Sequence, residues 1–286
     1  VVRAVAIQAP GLLARQGEYA AALAQYETCR QVLDEALSVP PMPKTQALGE
    51  RIRQARSTPR HNLPPSPGAF VGRHAELVTL GRWLCDPDCR LITVLGPGGV
   101  GKTRLAQELA GQHVHHFLNG VRYVSLTSIS STEFVVTAIA EALNIQFSGP
   151  GRPRQQLLDQ LQDRDLLLLL DNFEHLGESA DLLSDILQAA PEIKIVVTSR
   201  EKLHLRQEWI FALEGLATPP AQAHDAAQLT QYEAVQYFVH SAQRQQHRFS
   251  LDAHPAAVAH ICRLLGGSPL GIELATALLP AATCEQ

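Results

Sequence analysis

The stretch that decides the fold is a glycine-rich octapeptide, Gly96-Pro97-Gly98-Gly99-Val100-Gly101-Lys102-Thr103. It fits the full pattern G-x-x-x-x-G-K-[ST] of phosphate-binding loops. Glycines let such a loop curl so that successive backbone N–H groups face phosphate oxygens. The helix that begins at the loop adds the positive end of its dipole. The octapeptide therefore predicts a site for the phosphates of a nucleotide.

Individual side chains of this phosphate loop have expected roles. Lys102 is expected to reach the β- and γ-phosphates as a point charge. The Thr103 hydroxyl is a candidate ligand for Mg²⁺, which prefers oxygen donors. The candidate nucleotide-binding residues of this segment are Gly96, Gly98, Gly99, Val100, Gly101, Lys102, Thr103 and Arg104.

Short apolar runs alternate with helical patterns around the loop. Strands are predicted at 91–95, 121–126, 166–170, 193–198 and 209–213, with helices at 102–112, 132–144, 153–162 and 177–189. Alternation of this kind predicts an α/β fold with a parallel sheet covered on both faces. Five consecutive leucines at 166–170 would favour a helix by propensity. The shortness of this run, and the Asp171-Asn172 pair that ends it, indicate a buried central strand instead.

Asp171 is the second candidate site residue. In P-loop proteins, a carboxylate at the end of an aliphatic strand holds Mg²⁺, directly or through water. An aspartate after a buried strand is a weak signal alone, but a complete phosphate loop precedes it in this chain. We therefore predict Thr103 and Asp171 as the metal-binding pair.

The segments outside the sheet are expected to be helical. After a loop at 217–224, helices are predicted at 232–245, 255–265 and 269–279, as a small lid beside the sheet. Residues 1–37 have apolar, small and aromatic residues at helical spacing, which is similar to a tetratricopeptide repeat. One such unit cannot bury its own face. The end of a longer array and an ordinary helical hairpin both remain open.

A proline-rich stretch separates these two parts. Prolines at 40, 41 and 43 end the first helical pattern, and a short amphipathic piece follows at 45–56. Residues 57–68 contain Pro59, Pro64, Pro65 and Pro67 and are predicted to be a semi-rigid linker. The arginines at 51, 53, 56 and 60 are better explained by a solvated helix end than by a nucleic-acid contact.

Composition excludes several classes of protein. The net charge of −4 gives no sign of wholesale binding to nucleic acid or to an anionic membrane. No apolar run approaches 18 residues, so no membrane span is expected. Five scattered cysteines do not form a disulfide framework, which favours a cytoplasmic location. Because the chain opens at Val1 inside a helical pattern, further domains are expected on both sides.

Five motifs together resemble one family. Residues from about 69 to 280 look like the nucleotide-binding domain of signal-transduction ATPases with numerous domains, the STAND class, which includes NB-ARC proteins. The motifs are Phe70-Val71-Gly72-Arg73-x-x-Glu76, the phosphate loop, Leu169-Leu170-Asp171-Asn172-Phe173-Glu174-His175-Leu176, Val197-Thr198-Ser199-Arg200 and Gly267-Ser268-Pro269-Leu270. The N-terminal segment resembles the helical-repeat domain of SARP-type regulators, in which a DNA-binding domain comes first; LuxR-like regulators are the related alternative.

This resemblance implies a fold and a site. It implies an AAA+-like five-stranded parallel sheet in the order 5-1-4-3-2 with a C-terminal helical lid. Phe70, Val71, Gly72 and Arg73 would lie beside adenine, Arg200 would read the γ-phosphate, and Pro269 would contact the nucleotide from the lid. The implied domains are a helical domain at 1–56, a linker at 57–68, a nucleotide-binding domain at 69–216 and a lid at 217–286.

The implied function is an ATP- or ADP-binding switch with Mg²⁺ and nucleotide-dependent self-association. Lys102, Asp171, Asn172 and Arg200 would form the catalytic set. Many relatives carry a second acid where this chain has Asn172, and an amide can place a water but cannot take its proton. Slow hydrolysis is therefore expected. Glu174 is an alternative base, although capping or solvating the next helix is the more ordinary role for it.

Two other functions remain open for a phosphate-loop protein of this kind. A conventional AAA+-type enzyme or ring motor would turn ATP over quickly, which Asn172 disfavours. A P-loop kinase would need a pocket for its acceptor, and the Gly-Ser-Pro-Leu segment at 267–270 fits a switch better. No direct nucleic-acid contact is expected within this chain.

Overall fold

The computed structural model describes residues 10–14, 16–57, 60–66, 68–149, 151–223, 225–279 and 284. The predicted helical pattern over residues 1–9, and the linker prolines Pro59 and Pro67, lie outside these residues. Within them, no helix combines the length and the apolar character needed to cross a bilayer.

Five parallel strands form one sheet, and their bounds are β1 Leu91–Leu95, β2 Val121–Ser125, β3 Leu166–Asp171, β4 Ile193–Ser199 and β5 Glu208–Ala212. Their spatial order is β2-β3-β4-β1-β5, with every neighbouring pair parallel. Read from the opposite edge, this is the predicted order 5-1-4-3-2. The predicted α/β fold is therefore confirmed, and the strand ends differ from prediction by one residue at most.

Strand β3 explains the run of five leucines. Successive side chains of a strand point to opposite faces of its sheet. Leu166, Leu168 and Leu170 pack into the core on one face, and Leu167 and Leu169 pack into the core on the other. All five are fully buried. A central strand covered on both faces has no solvent-facing position, so it tolerates an unbroken apolar run.

Helices cover both faces of the sheet. The bounds are α3 His74–Cys85, α4 Lys102–Gln112, α5 Thr132–Ala142, α6 Pro153–Leu161 and α7 Ala180–Ala189. Helices α3 and α4 pack on one face, and α5, α6 and α7 pack on the other. The predicted helix at 177–189 begins instead with a 3-10 turn, Gly177–Ser179, before α7. Helix α3 follows the Phe70–Arg73 motif and was not among the helices predicted from the sequence.

The C-terminal lid has a core of its own. Its helices are α8 Ala226–Leu229, α9 Glu233–Gln245, α10 Pro255–Leu264 and α11 Pro269–Ala277. Phe238, Val258 and Ile272, one from each of the three longer helices, are fully buried together. The short helix α8 was not predicted, because four residues are too few for a periodic pattern to stand out.

An N-terminal hairpin of α1 Tyr19–Leu37 and α2 Pro43–Ser57 packs against the sheet domain. A Cβ on Gly49 would lie 2.8 Å from the Tyr26 ring, so the missing side chain lets the two helices approach closely. Leu118, in the loop before β2, completes the small apolar core that the hairpin forms with its neighbours. Arg53 forms an ion pair with Glu27 across the hairpin at 3.0 Å, which agrees with an intramolecular role for this arginine.

The predicted linker is attached to the edge of the sheet. His61 forms a parallel bridge with Val121 at the start of β2. The Asn62 side chain donates to the Tyr123 carbonyl at 2.8 Å and accepts from the Tyr123 N–H at 2.6 Å. This part of the linker therefore extends the sheet beyond β2 and fixes where the chain enters the α/β unit.

Candidate functional site

The phosphate loop joins the carboxyl end of β1 to α4. Gly99 and Gly101 have φ angles of 77° and 97°, which only glycine adopts readily. The Gly96 N–H donates to the Ser199 carbonyl at 3.2 Å, and a Cβ on Gly96 would lie 2.6 Å from the Leu213 carbonyl oxygen. Three of the motif's glycines are therefore explained by the backbone geometry of the loop.

Lys102 folds back over this loop. Its ammonium donates to the Gly96 carbonyl at 2.7 Å and to the Pro97 carbonyl at 3.0 Å. Burial lowers the pKa of Lys102; the negative charge of Glu174 opposes that shift, and the positive charge of Arg200 adds to it. The ammonium thus has carbonyl partners that an anion in the loop could replace.

Asp171 is the centre of a buried polar network. Its Oδ1 accepts from the hydroxyls of Thr103 and Thr198, both at 2.6 Å. Its Oδ2 accepts from the Tyr123 hydroxyl at 3.0 Å. Only 6% of Asp171 is exposed. Burial and the Asp171 carboxylate raise the pKa of Tyr123, so this hydroxyl stays protonated and can donate.

The residues after Asp171 turn away from the strand. Asn172 has a φ of 69°, and its N–H donates to the Thr198 hydroxyl at 2.9 Å. The Glu174 carboxylate pairs with Arg200 through its Oε1 at 2.9 Å; the Glu174 side chain is 16% exposed and that of Arg200 is 61% exposed. His175 contacts the Ile129 carbonyl at 2.6 Å, which gives it a structural role.

Two adjoining cavities lie between the sheet and the lid. The loop cavity, of about 280 Å³, is lined by the phosphate loop together with Asn172, Glu174, Thr198 and Arg200. The entry cavity, of about 500 Å³, is lined by residues 68–71 and by polar side chains of α9. They share the lining residues Gly101, Arg104, Tyr237, Pro269 and Glu273. The two cavities together form one cleft, whose loop end is lined by the cationic side chains of Lys102 and Arg200.

The predicted entry motif occupies one wall of this cleft. Phe70, Val71 and Arg73 line the entry cavity. The Arg73 guanidinium is bound within the protein, to Glu76 at 2.7 Å and to the Glu214 carbonyl at 2.6 Å. Gly72 does not line either cavity, and a Cβ there would lie 2.7 Å from the Glu233 side chain. Arg73 therefore ties the motif to the connection between sheet and lid.

The lid touches the phosphate loop directly. The Leu270 N–H donates to the Gly99 carbonyl at 3.2 Å, and Pro269 lines both cavities. The Ser268 hydroxyl caps α11 by accepting from the Gly271 N–H at 3.3 Å. One turn of lid backbone is thus held against the loop that the sequence assigns to phosphates.

Most of the predicted site residues meet in the cleft. Those that line the loop cavity are Gly98, Gly99, Gly101, Lys102, Thr103, Arg104, Asn172, Arg200 and Pro269. Val100 lines the entry cavity, and Asp171 lies behind Thr103 as its hydrogen-bond partner. Gly96 and Gly72 lie outside both linings, at the base of the loop and beside the lid.

Several cleft residues were not predicted. Tyr123 and Thr198 hold Asp171, and Tyr237 donates to Glu273 at the junction of the cavities. Thr198 belongs to the Val197–Arg200 motif, so its position as a polar residue near the end of β4 could have indicated a site residue. The lid residues had no such signal, because their place depends on how α9 and α11 dock.

Comparisons with known proteins agree with this geometry. Residues 86–205 match the model of the AAA domain family, and residues 9–53 match the bacterial transcriptional activator domain. An uncharacterized protein of Mycobacterium tuberculosis is 35% identical over 215 residues, which cover 73% of this chain and 50% of that protein. Regulatory protein AfsR of Streptomyces griseus is 28% identical over 295 residues, which cover 94% of this chain and 28% of AfsR.

A solved structure supports the fold alone. The ORC2 protein of Aeropyrum pernix, in ADPNP and ADP complexes, superposes with a TM-score of 0.53 at 13% identity, over 77% of this chain and 64% of that one. The chain spans about half the length of the mycobacterial relative and a smaller part of AfsR. The N-terminal match falls on the hairpin of α1 and α2, and the AAA match runs from the turn before β1 to beyond β4. The chain therefore contains a P-loop domain of the AAA class, joined to a segment of the bacterial transcriptional activator domain.

Proposed function

We propose that this chain is the nucleotide-dependent switch of a multidomain transcriptional regulator of the STAND class. ATP or ADP would lie in the cleft with its phosphates in the loop cavity, and the nucleotide present would set the position of the lid. The observation that carries this proposal is the hydrogen bond from the Leu270 N–H to the Gly99 carbonyl. Any ligand that displaces the phosphate loop must also act on the lid.

The cleft fits a nucleotide in size and in chemistry. The entry cavity of about 500 Å³ lies in the usual range for small-molecule sites. Phe70 and Val71 offer apolar contact, while the lining residues His240, Ser241 and Arg244 offer polar groups. The Lys102 ammonium would leave the loop carbonyls for phosphate oxygens. Together these features support a base and sugar in one cavity and the phosphates in the other.

The Thr103–Asp171 pair fits Mg²⁺. A hydroxyl and a carboxylate oxygen lie 2.6 Å apart beside the phosphate loop, and Mg²⁺ binds few protein oxygens while keeping waters and phosphate oxygens. The ion would neutralise charge on the β- and γ-phosphates when bound. Tyr123 and Thr198 would hold the carboxylate in place.

A switch needs a ligand with different affinity for its two states. The γ-phosphate is the chemical difference between ATP and ADP, and Arg200 faces the loop cavity where it would lie. We infer that ADP favours a closed lid and that ATP favours an open form that associates with further copies. Asn172 cannot accept a proton, which supports slow hydrolysis rather than rapid turnover.

The same proposal assigns the parts of the chain. Residues 1–56 would be the end of a tetratricopeptide-like domain, 57–68 its linker, 69–216 the nucleotide-binding domain and 217–286 the lid. DNA binding would belong to segments other than those of this chain. The parts that receive the signal and produce the output would then lie outside the nucleotide cleft.

The identity of the nucleotide that the purified protein carries tests this function. We would denature the protein and separate the released nucleotide by anion exchange, alongside Lys102→Ala. Stoichiometric ADP in the parent, absent from the variant, is the expected result. An empty parent that turns added ATP over quickly would overturn the switch in favour of a conventional ATPase. Phosphate transfer from ATP to a small acceptor would favour a kinase.

A further inference from the structure

Glu174 carries a buried oxygen that the fold does not use. Its Oε1 pairs with Arg200, but its Oε2 is buried and has no hydrogen-bond partner among the residues described. A buried polar atom without a partner is uncommon and calls for an explanation, and a catalytic role or a bound water or ion are among the explanations. Capping or solvating the next helix, the ordinary role for Glu174, does not account for this oxygen.

The position of Glu174 connects it with the phosphate loop. It lines the loop cavity together with Lys102, Thr103 and Arg200. Its ion-pair partner Arg200 faces the same cavity. Glu174 is therefore a carboxylate that lies in one cavity with the lysine assigned to the β- and γ-phosphates.

The neighbouring polar residues are unsuited to accept a proton from water. Asp171 already accepts from three hydroxyls. Asn172 is an amide, and its backbone N–H is committed to Thr198. Because Asn172 is in the left-handed region with φ 69°, the chain turns there. Two carboxylates of the described residues line the loop cavity, Glu174 and Glu273, and Glu273 already accepts from the Tyr237 hydroxyl. Glu174, two residues after Asn172, is the one with an oxygen left to accept a proton.

We propose that Glu174 is the general base for ATP hydrolysis in this protein and that Arg200 masks it before the nucleotide binds. This inference rests on the proposed function. The water oxygen bonds to the γ-phosphorus while the bond from that phosphorus to the β–γ bridging oxygen breaks, with its electron pair leaving on ADP. The water proton passes to the Glu174 carboxylate.

Arg200 provides the masking contact. Its side chain is 61% exposed, and an ion pair with such exposure is weak, so it can be exchanged for another anion. A Cβ on Gly98 would lie 3.5 Å from the Arg200 guanidinium, so Arg200 already lies against the phosphate loop. When Arg200 turns to a γ-phosphate, both carboxylate oxygens of Glu174 become available to water.

Glu174→Gln tests this assignment, with Glu201→Gln as the matched control. Glu201 is exposed and lines neither cavity. We would measure ATP affinity by calorimetry, hydrolysis in single turnover, and the nucleotide that the purified protein retains. Glu174→Gln should bind ATP at least as tightly as the parent, hydrolyse it about 100-fold more slowly, and retain ATP in place of ADP. Glu201→Gln should match the parent in all three.

The Arg200→Gln variant distinguishes two roles for Glu174: acting as the base, or only holding Arg200 in position. If Glu174 is the base, Arg200→Gln should change the ratio of ATP to ADP affinity, whereas Glu174→Gln should keep that ratio and lose hydrolysis. Equal losses of hydrolysis in the two variants, with none further in the double variant, would overturn the inference. So would Glu174→Gln hydrolysing within threefold of the parent. A parent that binds no ATP would instead refute the proposed function.

Discussion

The two walls of the cleft are held in different ways. On the sheet wall, Asp171 accepts three hydroxyl hydrogen bonds and is 6% exposed. On the lid wall, the links to the phosphate loop are two hydrogen bonds to the Gly99 carbonyl, from the Leu270 N–H at 3.2 Å and from the Ser268 hydroxyl at 3.4 Å. A buried network with every member satisfied is rigid, whereas a backbone contact at the edge of a separate core opens more readily. The sheet wall is therefore suited to positioning charge, and under the proposed switch the lid wall is the part expected to move.

Four hydrogen bonds between residues that the structure describes join the lid to the sheet domain. Leu216 N–H donates to the Gly267 carbonyl at 2.8 Å, and Arg73 N–H donates to Glu233 at 2.8 Å. The other two both donate to the Gly99 carbonyl, from the Leu270 N–H and from the Ser268 hydroxyl at 3.4 Å. All four lie beside the cleft, while the lid has a separate apolar core. A ligand in the cleft therefore acts where the lid is attached.

The largest effect on nucleotide affinity is expected from a change at Lys102, on the sheet wall. Lys102→Ala removes the ammonium that donates to the Gly96 and Pro97 carbonyls of the loop, and ATP affinity should fall by about 100-fold or more because charge-assisted bonds to phosphate are lost. Lys202→Ala, at an exposed position, is the matched control. Calorimetry with ATP measures both. An unchanged affinity in Lys102→Ala would mean that the phosphates bind elsewhere.

Asp171→Ala should have the next largest effect. It would leave the hydroxyls of Tyr123, Thr103 and Thr198 without their shared acceptor, at a cost of about 2–4 kcal/mol in the free energy of unfolding. ATP affinity should also lose its dependence on Mg²⁺. Chemical denaturation, and calorimetry with and without Mg²⁺, measure the two effects.

The exposed Asp163→Ala is the control for that experiment. It should match the parent in stability and in its response to Mg²⁺. If Asp171→Ala kept the Mg²⁺ dependence, the ion would bind at another position. If it kept full stability, the rigid character assigned to the sheet wall would be wrong.

The junction of the two walls is tested at Gly99. A Cβ there would lie 2.8 Å from Leu270 Cβ, and its φ of 77° disfavours alanine. Gly99→Ala should therefore destabilise the lid contact by about 1–3 kcal/mol and bring the affinities for ATP and ADP closer together. Gly98→Ala is the matched variant, because its Cβ would meet only the Arg200 guanidinium at 3.5 Å. Equal thermal stability of the two variants would contradict a lid held at Gly99.

The sheet wall could be predicted from the sequence, because local patterns determine it. The octapeptide predicts the phosphate loop, and the leucine run that ends in Asp171 predicts the central strand and the carboxylate at its end. Both follow from residues that are neighbours in the chain. The sheet order came from the family resemblance, and the structure confirms it.

The lid wall could not be predicted in the same way. Arg73 meets Glu233 across 160 positions of sequence. One contact of the sheet wall was unpredictable for the same reason, because Tyr123 reaches Asp171 only through the pairing of β2 with β3. Contacts of this kind depend on how finished elements dock, and no local period encodes them. The roles of Arg73 and Pro269 beside a nucleotide therefore stay predictions.

The smallest effect is expected in the labelling rates of two buried thiols, one in the sheet domain and one in the lid. Cys89 lies beside the sheet core and Cys262 in the lid core, and both are fully buried. Burial raises the pKa of each to about 12. Because the thiolate is the reactive form, neither should react with a maleimide near pH 8 unless its region opens. The rate of labelling therefore reports opening of each region separately.

We expect Cys262 to label several-fold faster than Cys89 if the lid opens on its own, since local opening needs less free energy than global unfolding. The protein for this measurement carries Cys29→Ser, Cys85→Ser and Cys284→Ser, which leaves one thiol in each core. Added ATP or ADP should change the labelling rate of Cys262 and leave that of Cys89 nearly constant. Equal rates for the two thiols, shifted equally by nucleotide, would mean that sheet and lid open as one unit. The difference between the walls would then be one of geometry only, and the lid could not serve as the moving part of a switch.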